Sequence, residues 1–472
     1  MSANSAVSML PNPPGPMALP IIGNLHQLRD PTAPHIAISK VARRYGDVVR
    51  FRLGSVPMVV LSHPEVIREA CAKDELSERW LSDTLSTLSP ASGLIFAEPN
   101  DDWRELSKFT QAEMFGNSEV AMLGREHFIP TIDQTLDRLA EAGAPEPMRQ
   151  VLFASAFNLT FRSLFGWHQT ESDEFNELKD ELLARVAWFE SAVSAPAPAD
   201  VFPQLRFLRR GMIRESAAQR DRRDQLIGWF IESVARRRAA DPQSASCWVD
   251  VMLDREEEGK LRREVTRALC MDMLGAVPSG VGAAVSWVML LVGNRPAVQT
   301  RIHEELDRAV GRNERPTEDH RADLPYTLAC VAESLRHRTV APTGIPHIAH
   351  ADTEVAGFRI DAGTRVVMNS WAIHHDPRFW DAPDEFIPDR FLPQPDGAPS
   401  SALTNPGYIP FGVGNRRCTG DRFAVSAIWL HTVRILHRFR LDIPDGGPLS
   451  EDEVWGLSTA PKPYKLLLSP RE

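Results

Sequence analysis

The stretch FGVGNRRCTG, from Phe411 to Gly420, places a single cysteine in a loop of glycines and arginines. Glycines let the backbone come close to whatever the sulfur contacts, and neighbouring arginines favour the thiolate form of a cysteine. The following DRFAVSAIWLHTVRIL has a helical pattern, so Cys418 lies just before a helix N-terminus, where the macrodipole also stabilises an anion. These features predict a sulfur ligand. The alternative is a buried structural cysteine in a glycine-rich turn.

The overall composition argues against some classes of function. The 472 residues include 53 Lys and Arg against 63 Asp and Glu, which gives a formal net charge of −10. This acidic balance argues against bulk binding to nucleic acid. The five cysteines, Cys71, Cys247, Cys270, Cys330 and Cys418, form no CxxC pair and no zinc-ligand spacing, which is typical of a protein in a reducing compartment.

The hydrophobic pattern predicts a mainly α protein with a small β-rich lobe. Apolar residues recur at helical spacing from about residue 64 to 335 and again over 420–440. Alternating runs over about 46–62 and 342–370 predict short strands, including a hairpin at Gly54-Ser55. The proline-rich residues 1–24 predict an irregular entry segment. Because no repeat or low-complexity linker interrupts the pattern, we predict one domain over residues 1–472.

No segment predicts a membrane span. The N-terminal MSANSAVSML has neither a basic region nor a long apolar run, and no stretch reaches about 18 apolar residues without charges. The longest candidate, Val281 to Val292, is interpreted as a buried helix. We therefore expect a cytoplasmic monomer.

Five spaced residues of the cysteine loop carry a family resemblance. The pattern F-x-x-G-x-R-x-C-x-G is matched at Phe411, Gly414, Arg416, Cys418 and Gly420. The loop resembles the haem-binding loop of the cytochrome P450 superfamily, in which the cysteine thiolate is the fifth iron ligand. The resemblance implies the cytochrome P450 fold, haem b (iron protoporphyrin IX) as cofactor and Cys418 as its metal ligand. The other loop residues implied to bind the cofactor are Arg416, Phe411, Gly412 and Gly420.

Two charged segments support the same resemblance. ESLR places Glu333 and Arg336 at i and i+3 on one helix face, and FIPDRFLP supplies Arg390 further on. Together they resemble the Glu–Arg–Arg lock of the family, which fixes the fold around the cysteine loop. These three residues are therefore predicted to be structural.

The family binds the two haem propionates with cations and a tryptophan. The matching residues are Arg416, His347 in GIPHIAH and Trp103 in DDWRELSKF. Four residues after the tryptophan the family has a basic residue, whereas this chain has serine. Neutralisation of the propionates is therefore expected from Arg416 and His347, with Lys108 or Arg104 as further candidates. The alternative for His347 is a surface histidine.

A long apolar segment departs from the family pattern. AVPSGV, residues 276–281, aligns with the family's Ala/Gly-Gly-x-Asp/Glu-Thr-Thr, so Ser279 replaces the acid and Gly280 the threonine. In the family this pair relays protons during oxygen activation. Pro278 lacks the N–H of an ordinary helix residue, so we expect the helix to kink or open there. Ala276, Pro278, Ser279 and Gly280 are the candidate catalytic residues: Ser279 to hold a water, the small residues to leave space.

The resemblance leaves several reactions open. The predicted substrate is a small to medium, largely apolar or aromatic compound of secondary metabolism, converted by substrate-assisted hydroxylation or by oxidative coupling or cyclisation. A peroxide-driven or isomerase-type reaction is the alternative, and a non-catalytic scaffold or haem sensor is the alternative of another class. The chain carries no sign of a flavin, nucleotide or iron–sulfur domain, so a ferredoxin with its reductase, or a flavodoxin, is expected to supply electrons at Arg417, Arg422 and Arg434.

Overall fold

The computed structural model describes residues 7–28, 33–89, 92–166, 172–194, 198–241, 247–456 and 458–471. Its longer helices are Pro34–Ala42, Pro64–Cys71, Asp83–Leu88, Asp101–Phe109, Asn117–Leu123, Ile129–Ala142, Met148–Phe165, Asp173–Ser194, Arg210–Ala240, Trp248–Glu257, Arg263–Gly293, Pro296–Ala309, Pro325–His337, Ser370–His374 and Asp421–Arg438. Short helical turns are Leu25–Gln27, Asp74–Leu76, Thr110–Met114, Gly124–Phe128, Pro198–Val201, Pro203–Arg209, Glu318–Asp323, Pro388–Phe391, Ser401–Thr404 and Gly414–Arg416. The mainly α prediction is confirmed. Residues 1–6 of the predicted irregular segment lie outside the described part.

The strands form four small sheets. The five-stranded sheet has the order Val48–Leu53, Val56–Leu61, Arg365–Met368, His347–Ile348 and Glu78–Arg79. A three-stranded sheet has the order Glu146–Pro147, Lys465–Pro470 and Phe439–Asp442, and the two-stranded sheets pair Thr353–Val355 with Phe358–Ile360 and Glu453–Val454 with Ala460–Pro461. The first two strands form the predicted hairpin around Gly54-Ser55. The β-rich lobe thus joins chain segments that are far apart in sequence.

The helix Arg263–Gly293, called the central helix below, runs through the core. It is the one helix in the described ranges that is long and apolar enough to cross a bilayer, but 83% of its most apolar window is buried inside the protein. The buried-helix prediction for Val281 to Val292 is confirmed. The helix passes through Pro278 without interruption, so the predicted opening of the helix is not found.

One glycine of the central helix serves packing. A Cβ at Gly282 would lie 3.0 Å from the Cα of Phe153 on the helix Met148–Phe165. The two backbones therefore approach as closely as they do because position 282 has no side chain. Not every small residue of this helix borders a ligand space.

The predicted ion-pair lock has two fully buried members, Glu333 and Arg336, and a third, Arg390, that is 13% exposed. Arg336 Nε donates to Glu333 Oε2 at 2.7 Å, and both side chains have 0% exposure. Arg390 Nε lies 3.4 Å from Glu333 Oε1. Arg336 also donates to the carbonyl oxygens of His374, Pro383 and Glu385. Since removing one partner leaves the other charge buried and unpaired, this arrangement fixes all the segments it contacts.

The lock is linked to the cysteine loop through one imidazole. Burial lowers the pKa of His374, so its ring is neutral. The backbone N–H of Ile409 donates to His374 Nε2 at 3.1 Å, and Nδ1 lies 2.7 Å from Thr339 Oγ1. Because Ile409 precedes the loop by two residues, the lock sets where the loop begins.

Breaking the lock is expected to unfold the cofactor-binding core. Glu333→Ala or Arg336→Ala should cost about 3–5 kcal/mol of unfolding free energy and give haem-poor protein, because a buried charge is left without its partner. Denaturant unfolding and haem content measure the effect. Arg440→Ala is the control, since Arg440 is 63% exposed and its pair with Asp442 contributes about 0–1 kcal/mol. Equal stability of Glu333→Ala and the control would contradict the assignment.

Candidate active site

The cysteine loop depends on two glycines with positive φ. Gly412 and Gly414 have φ of 71° and 73°, in the left-handed region that other residues disfavour. A Cβ at Gly414 would lie 2.3 Å from the Cβ of Cys71, so this position has no room for a side chain. The backbone N–H of Cys418 donates to the carbonyl of Phe411 at 3.0 Å and closes the loop. The helix Asp421–Arg438 then begins directly after its N-cap, Gly420.

Cys418 differs from the other cysteines in accessibility. It is exposed, whereas the other four are buried. Protein atoms nevertheless crowd around its thiol and raise its pKa, and the N–H of Gly420 and the charge of Arg417 oppose this only weakly. The structure thus leaves one thiol able to meet a ligand.

The expectation that neighbouring arginines ionise this thiol is wrong. Arg416 turns away and donates to the carbonyl oxygens of Ser77, Leu94 and Ala97. Arg417 donates to Asp421, whose negative charge also raises the thiol pKa. The loop therefore does not make a thiolate by itself. A bound metal cation deprotonates a coordinating thiol outright, so the charge that stabilises this thiolate has to come from the ligand.

A second group of residues, called the haem-edge cluster, consists of Arg79, Trp103, His347 and Arg416. Arg416 Cζ lies 4.2 Å from the centroid of the Trp103 ring. Arg79 Nη1 lies 2.6 Å from His347 Nε2. Leu94 joins the cluster, since its carbonyl accepts from Trp103 Nε1 at 2.9 Å and from Arg416 Nη1 at 3.2 Å. The structure therefore brings together the three residues that the resemblance placed at the propionates.

The haem-edge cluster holds two cations, neither of which forms an ion pair with a carboxylate among the described residues. Burial and the charge of Arg416 lower the pKa of Arg79 to about 9, and burial lowers the pKa of Arg416 to about 10 although the charge of Glu78 opposes this shift. Neither guanidinium has an ion pair with a carboxylate among the described residues, and the buried Nε of Arg79 has no hydrogen-bond partner there. Because buried cations side by side are costly, the cluster favours an anionic ligand. The two propionates of haem fit this charge.

His347 is buried, so the surface-histidine alternative is wrong, and its ring carries no charge. Its side chain is 2% exposed, and burial together with Arg79 lowers its pKa to about 3. Nδ1 lies 2.5 Å from the carbonyl of Leu76, which accepts its hydrogen, so Nε2 accepts from Arg79. His347 therefore orients Arg79, and the positive charge of the cluster belongs to the two arginines.

Lys108 and Arg104 do not reach the haem-edge cluster. On the helix Asp101–Phe109 the side chains of Trp103 and Ser107 are buried, at 8% and 7% exposure, while Lys108 is exposed. One residue corresponds to about 100° of helix rotation, which carries Lys108 to the solvent side. Arg104 is also exposed and pairs with Asp101 at 2.8 Å. Neither cation contacts the cluster, and their role at the propionates stays a prediction.

Arg79, which the sequence analysis missed, is the second cation of the haem-edge cluster. It lies on the two-residue strand Glu78–Arg79, which pairs antiparallel with His347–Ile348, so that Arg79 is opposite His347. A strand this short has no periodicity that could reveal it. Only the pairing of two distant segments brings this arginine to the cluster.

The central helix presents a narrow open face in the middle of its buried length. Ala276 is exposed, and Val277 and Gly280 are partly exposed, although their neighbours are buried. Ala276 and Gly280 are four residues apart and so share one face. A Cβ at Gly280 would meet no atom within 4 Å. These two candidates therefore border open space.

Ser279 and Pro278 lie on the buried side of the central helix. Ser279 is 3% exposed, and its hydroxyl donates to the carbonyl of Gly275 at 2.8 Å. This bond to the preceding turn satisfies the hydroxyl hydrogen inside the helix. Ser279 retains its lone pairs, but its donor is not directed to the open face.

One of the three arginines predicted to bind an electron donor is inside the protein. Arg434 is 3% exposed and donates to Asp133 and to the carbonyl of Pro316. Arg417 and Arg422 remain exposed beside a groove of about 390 Å³ at the outer side of the cysteine loop. The prediction for Arg434 is wrong, because this position faces the core side of its helix.

The geometry of the haem-edge cluster predicts that Arg79 and Lys108 contribute differently to haem affinity. Arg79→Gln should raise the dissociation constant for haem about tenfold or more, because a buried charge-assisted contact is lost. Lys108→Gln should leave it unchanged. Transfer of haem from each variant to apomyoglobin gives the comparison. Equal haem loss from both variants would show that charge alone, and not this position, holds the cofactor.

The comparisons with known proteins agree with the site. The family model for Cytochrome P450 matches residues 13–468. Cytochrome P450 1A1 of Homo sapiens is 31% identical over 477 residues, which cover 95% of this chain and 90% of the relative. Cytochrome P450 1A1 of Canis lupus familiaris is 30% identical over 473 residues, at 95% and 88% coverage. Cytochrome P450 1A2 of Oryctolagus cuniculus is 31% identical over 464 residues, at 94% and 88% coverage.

The residues present fit the cofactor of this family. Cys418 is the accessible sulfur for the iron, and the unpaired Arg79 and Arg416 are the cations for the propionates. With the fold, the cysteine loop and the matches over almost the whole chain, the chain belongs to the cytochrome P450 family of haem-thiolate monooxygenases, whose cofactor is haem b.

Proposed function

We propose that this monooxygenase acts on a small to medium, largely apolar or aromatic compound of secondary metabolism. The observation that carries the proposal is the open face of the central helix, where Ala276, Val277 and Gly280 offer no polar side chain. The segment SGLIFA, residues 92–97 and called the roof loop, is hydrogen-bonded to Asp272 of this helix, and we propose that it also borders the substrate space. Surfaces of this kind favour apolar ligands, with few polar groups to fix their orientation.

A cleft of about 1190 Å³ supports access for such a compound. It lies between residues 78–109 and 255–265 and reaches Arg79 and Trp103 at the haem edge. Apolar side chains such as Leu81, Phe96 and Phe109 line it together with charged ones. We propose this cleft as a route by which substrate or water enters.

The composition of the open face also supports an atypical proton supply. When bound, haem b supplies the oxidising chemistry, and the protein has to deliver protons and exclude bulk water. Between residues 276 and 280 the only hydroxyl is that of Ser279, which donates to Gly275. We propose that a polar group of the substrate orients the water there, in substrate-assisted hydroxylation, or that the reaction is an oxidative coupling or cyclisation.

A peroxide-driven or isomerase-type reaction is the alternative. Membership of an enzyme family leaves little support for a scaffold or sensor.

We propose a ferredoxin with its reductase, or a flavodoxin, as the electron donor to a cytoplasmic monomer. Support comes from Arg417 and Arg422, which are exposed next to the cysteine loop although the chain has a net charge of −10. Local positive charge steers an acidic donor toward the face nearest the cofactor.

A spectral screen tests the substrate class. The ferric protein is titrated with planar aromatic, aliphatic and strongly polar compounds, and saturable shifts of the haem absorption are recorded. Shifts confined to aromatic and aliphatic compounds are expected from the apolar open face. Shifts confined to strongly polar compounds would overturn the proposed class.

The role of the cysteine is tested by removing the sulfur. Cys418→Ala should lose the long-wavelength absorption that a thiolate gives to the reduced carbon monoxide complex, and all turnover with it, because no other cysteine is accessible. Cys270→Ala, at a buried cysteine of the central helix, should keep both signals. Turnover by the Cys418→Ala variant would refute the assigned ligand.

The open face is tested by restoring the family residues. Ser279→Asp with Gly280→Thr should reduce native product and raise hydroxylated product or released peroxide, because the threonine side chain enters the open space at Gly280 and the aspartate adds a proton donor at the adjacent position. Product analysis and a peroxide assay with native substrate and redox partners measure the outcome. Faster native turnover with unchanged coupling would show that this helix is not specialised.

A further inference from the structure

One carboxylate joins the central helix to the roof loop. Asp272 lies one turn before Ala276, and its Oδ2 accepts from the backbone N–H of Leu94 at 2.6 Å and of Ile95 at 3.2 Å. A Cβ at Gly93 would lie 2.3 Å from the same Oδ2. The loop can approach the carboxylate this closely because position 93 is glycine.

The backbone of Leu94 connects this carboxylate to the haem-edge cluster. Its N–H donates to Asp272, and its carbonyl accepts from both Trp103 and Arg416. A displacement of Leu94 would therefore disturb both sides at once.

We propose that Asp272 is a positioning residue that holds the roof loop over the substrate space and couples the central helix to the haem-edge cluster through the backbone of Leu94. Asp272, Ala276 and Gly280 follow one another at intervals of four residues and lie on one side of the helix. The carboxylate therefore fixes the distance between the roof loop and the central helix at one end of the open face. The inference rests on the proposed function only in assigning the substrate to this space.

The charge of Asp272 matters to this role. Burial raises its pKa to about 7 from the ordinary 3.8, while the two amide hydrogen bonds and Arg223 oppose the rise. Arg223, on the helix Arg210–Ala240, is the charged group facing it, and the roof loop itself contains no titratable side chain. Hydrogen bonds to a carboxylate are roughly twice as strong as those to a neutral acid. The roof is thus held most firmly above about pH 7 and less firmly as the pH falls below it.

The test uses two neutral ligands of ferrous haem that do not titrate, phenyl isocyanide and carbon monoxide. Phenyl isocyanide extends beneath the roof loop, whereas carbon monoxide is too small to need it. In Asp272→Ala the dissociation constant for phenyl isocyanide should rise about tenfold, with carbon monoxide unchanged within about twofold. Equal affinities for phenyl isocyanide in this variant and the native protein would overturn the proposal.

The pH dependence separates positioning from a general structural role. In the native protein the dissociation constant for phenyl isocyanide should rise as the pH is lowered from 8 to 6, through the pKa of about 7. Asp272→Asn keeps an acceptor oxygen but cannot titrate, so its affinity should be lower than native at pH 8 and flat with pH. Glu304→Gln, at an exposed acid on the helix Pro296–Ala309, should retain the native profile.

Two outcomes decide between the explanations. A native pH profile in Asp272→Asn would overturn the proposal, and so would parallel weakening of phenyl isocyanide and carbon monoxide binding. If Asp272→Ala does not retain haem, the Asp272→Asn profile alone decides. Neither ligand is oxidised, so an error in the proposed substrate class would not alter these results.

Discussion

The guanidinium of Arg336 is the interaction on which the cysteine loop depends. It donates all five of its N–H groups, to both oxygens of Glu333 and to the carbonyls of His374, Pro383 and Glu385. A buried cation that is satisfied in this way cannot move without breaking several bonds at once. The segments before the cysteine loop are therefore held to the helix Pro325–His337, and the ring of His374 passes the constraint on to the loop. The loop can keep two glycines in the left-handed region because its ends are fixed elsewhere.

The site beyond the loop is electrostatically incomplete without its cofactor. Two neighbouring, partly buried arginines, Arg79 and Arg416, have lowered pKa values and no ion pair with a carboxylate among the described residues. The thiol of Cys418 has a raised pKa. An iron porphyrin with two carboxylates offsets both effects, since the metal stabilises the thiolate and the propionates pair the arginines. Cofactor binding and the stability of the fold are consequently linked.

The central helix contributes open space to the site and no polar side chain on its open face. The open face of the central helix is formed by Ala276, Val277 and Gly280, and its one hydroxyl is turned into the helix. The carboxylate of this region lies a turn earlier, at Asp272, where it contacts the roof loop instead of the helix interior. The carboxylate and the open space thus lie on different turns of one helix. A change in the roof loop can therefore alter substrate binding without altering the iron ligand.

The sequence by itself determined the features that depend on short-range spacing. The loop residues around Cys418, the pair Glu333 and Arg336, the hairpin at Gly54-Ser55 and the long amphipathic helices were all predictable, because each is encoded within a few residues. Helical and strand periods, and the positions of glycine and proline, carry this information directly. The family resemblance rested on the same local patterns.

Only the tertiary structure decided which side chains contact each other across the chain and how burial shifts the pKa values of ionisable groups. Arg79 contacts His347 from 268 residues away through a pairing of two-residue strands, and no local period signals such a contact. Lys108 and Arg434 are cations of the expected type, but helix rotation turns one to solvent and the other into the core. The pKa of Cys418 rises although Arg417 is adjacent, because desolvation exceeds the attraction of that charge. Desolvation depends on every atom packed around a group, so the sequence specifies it only through the complete fold.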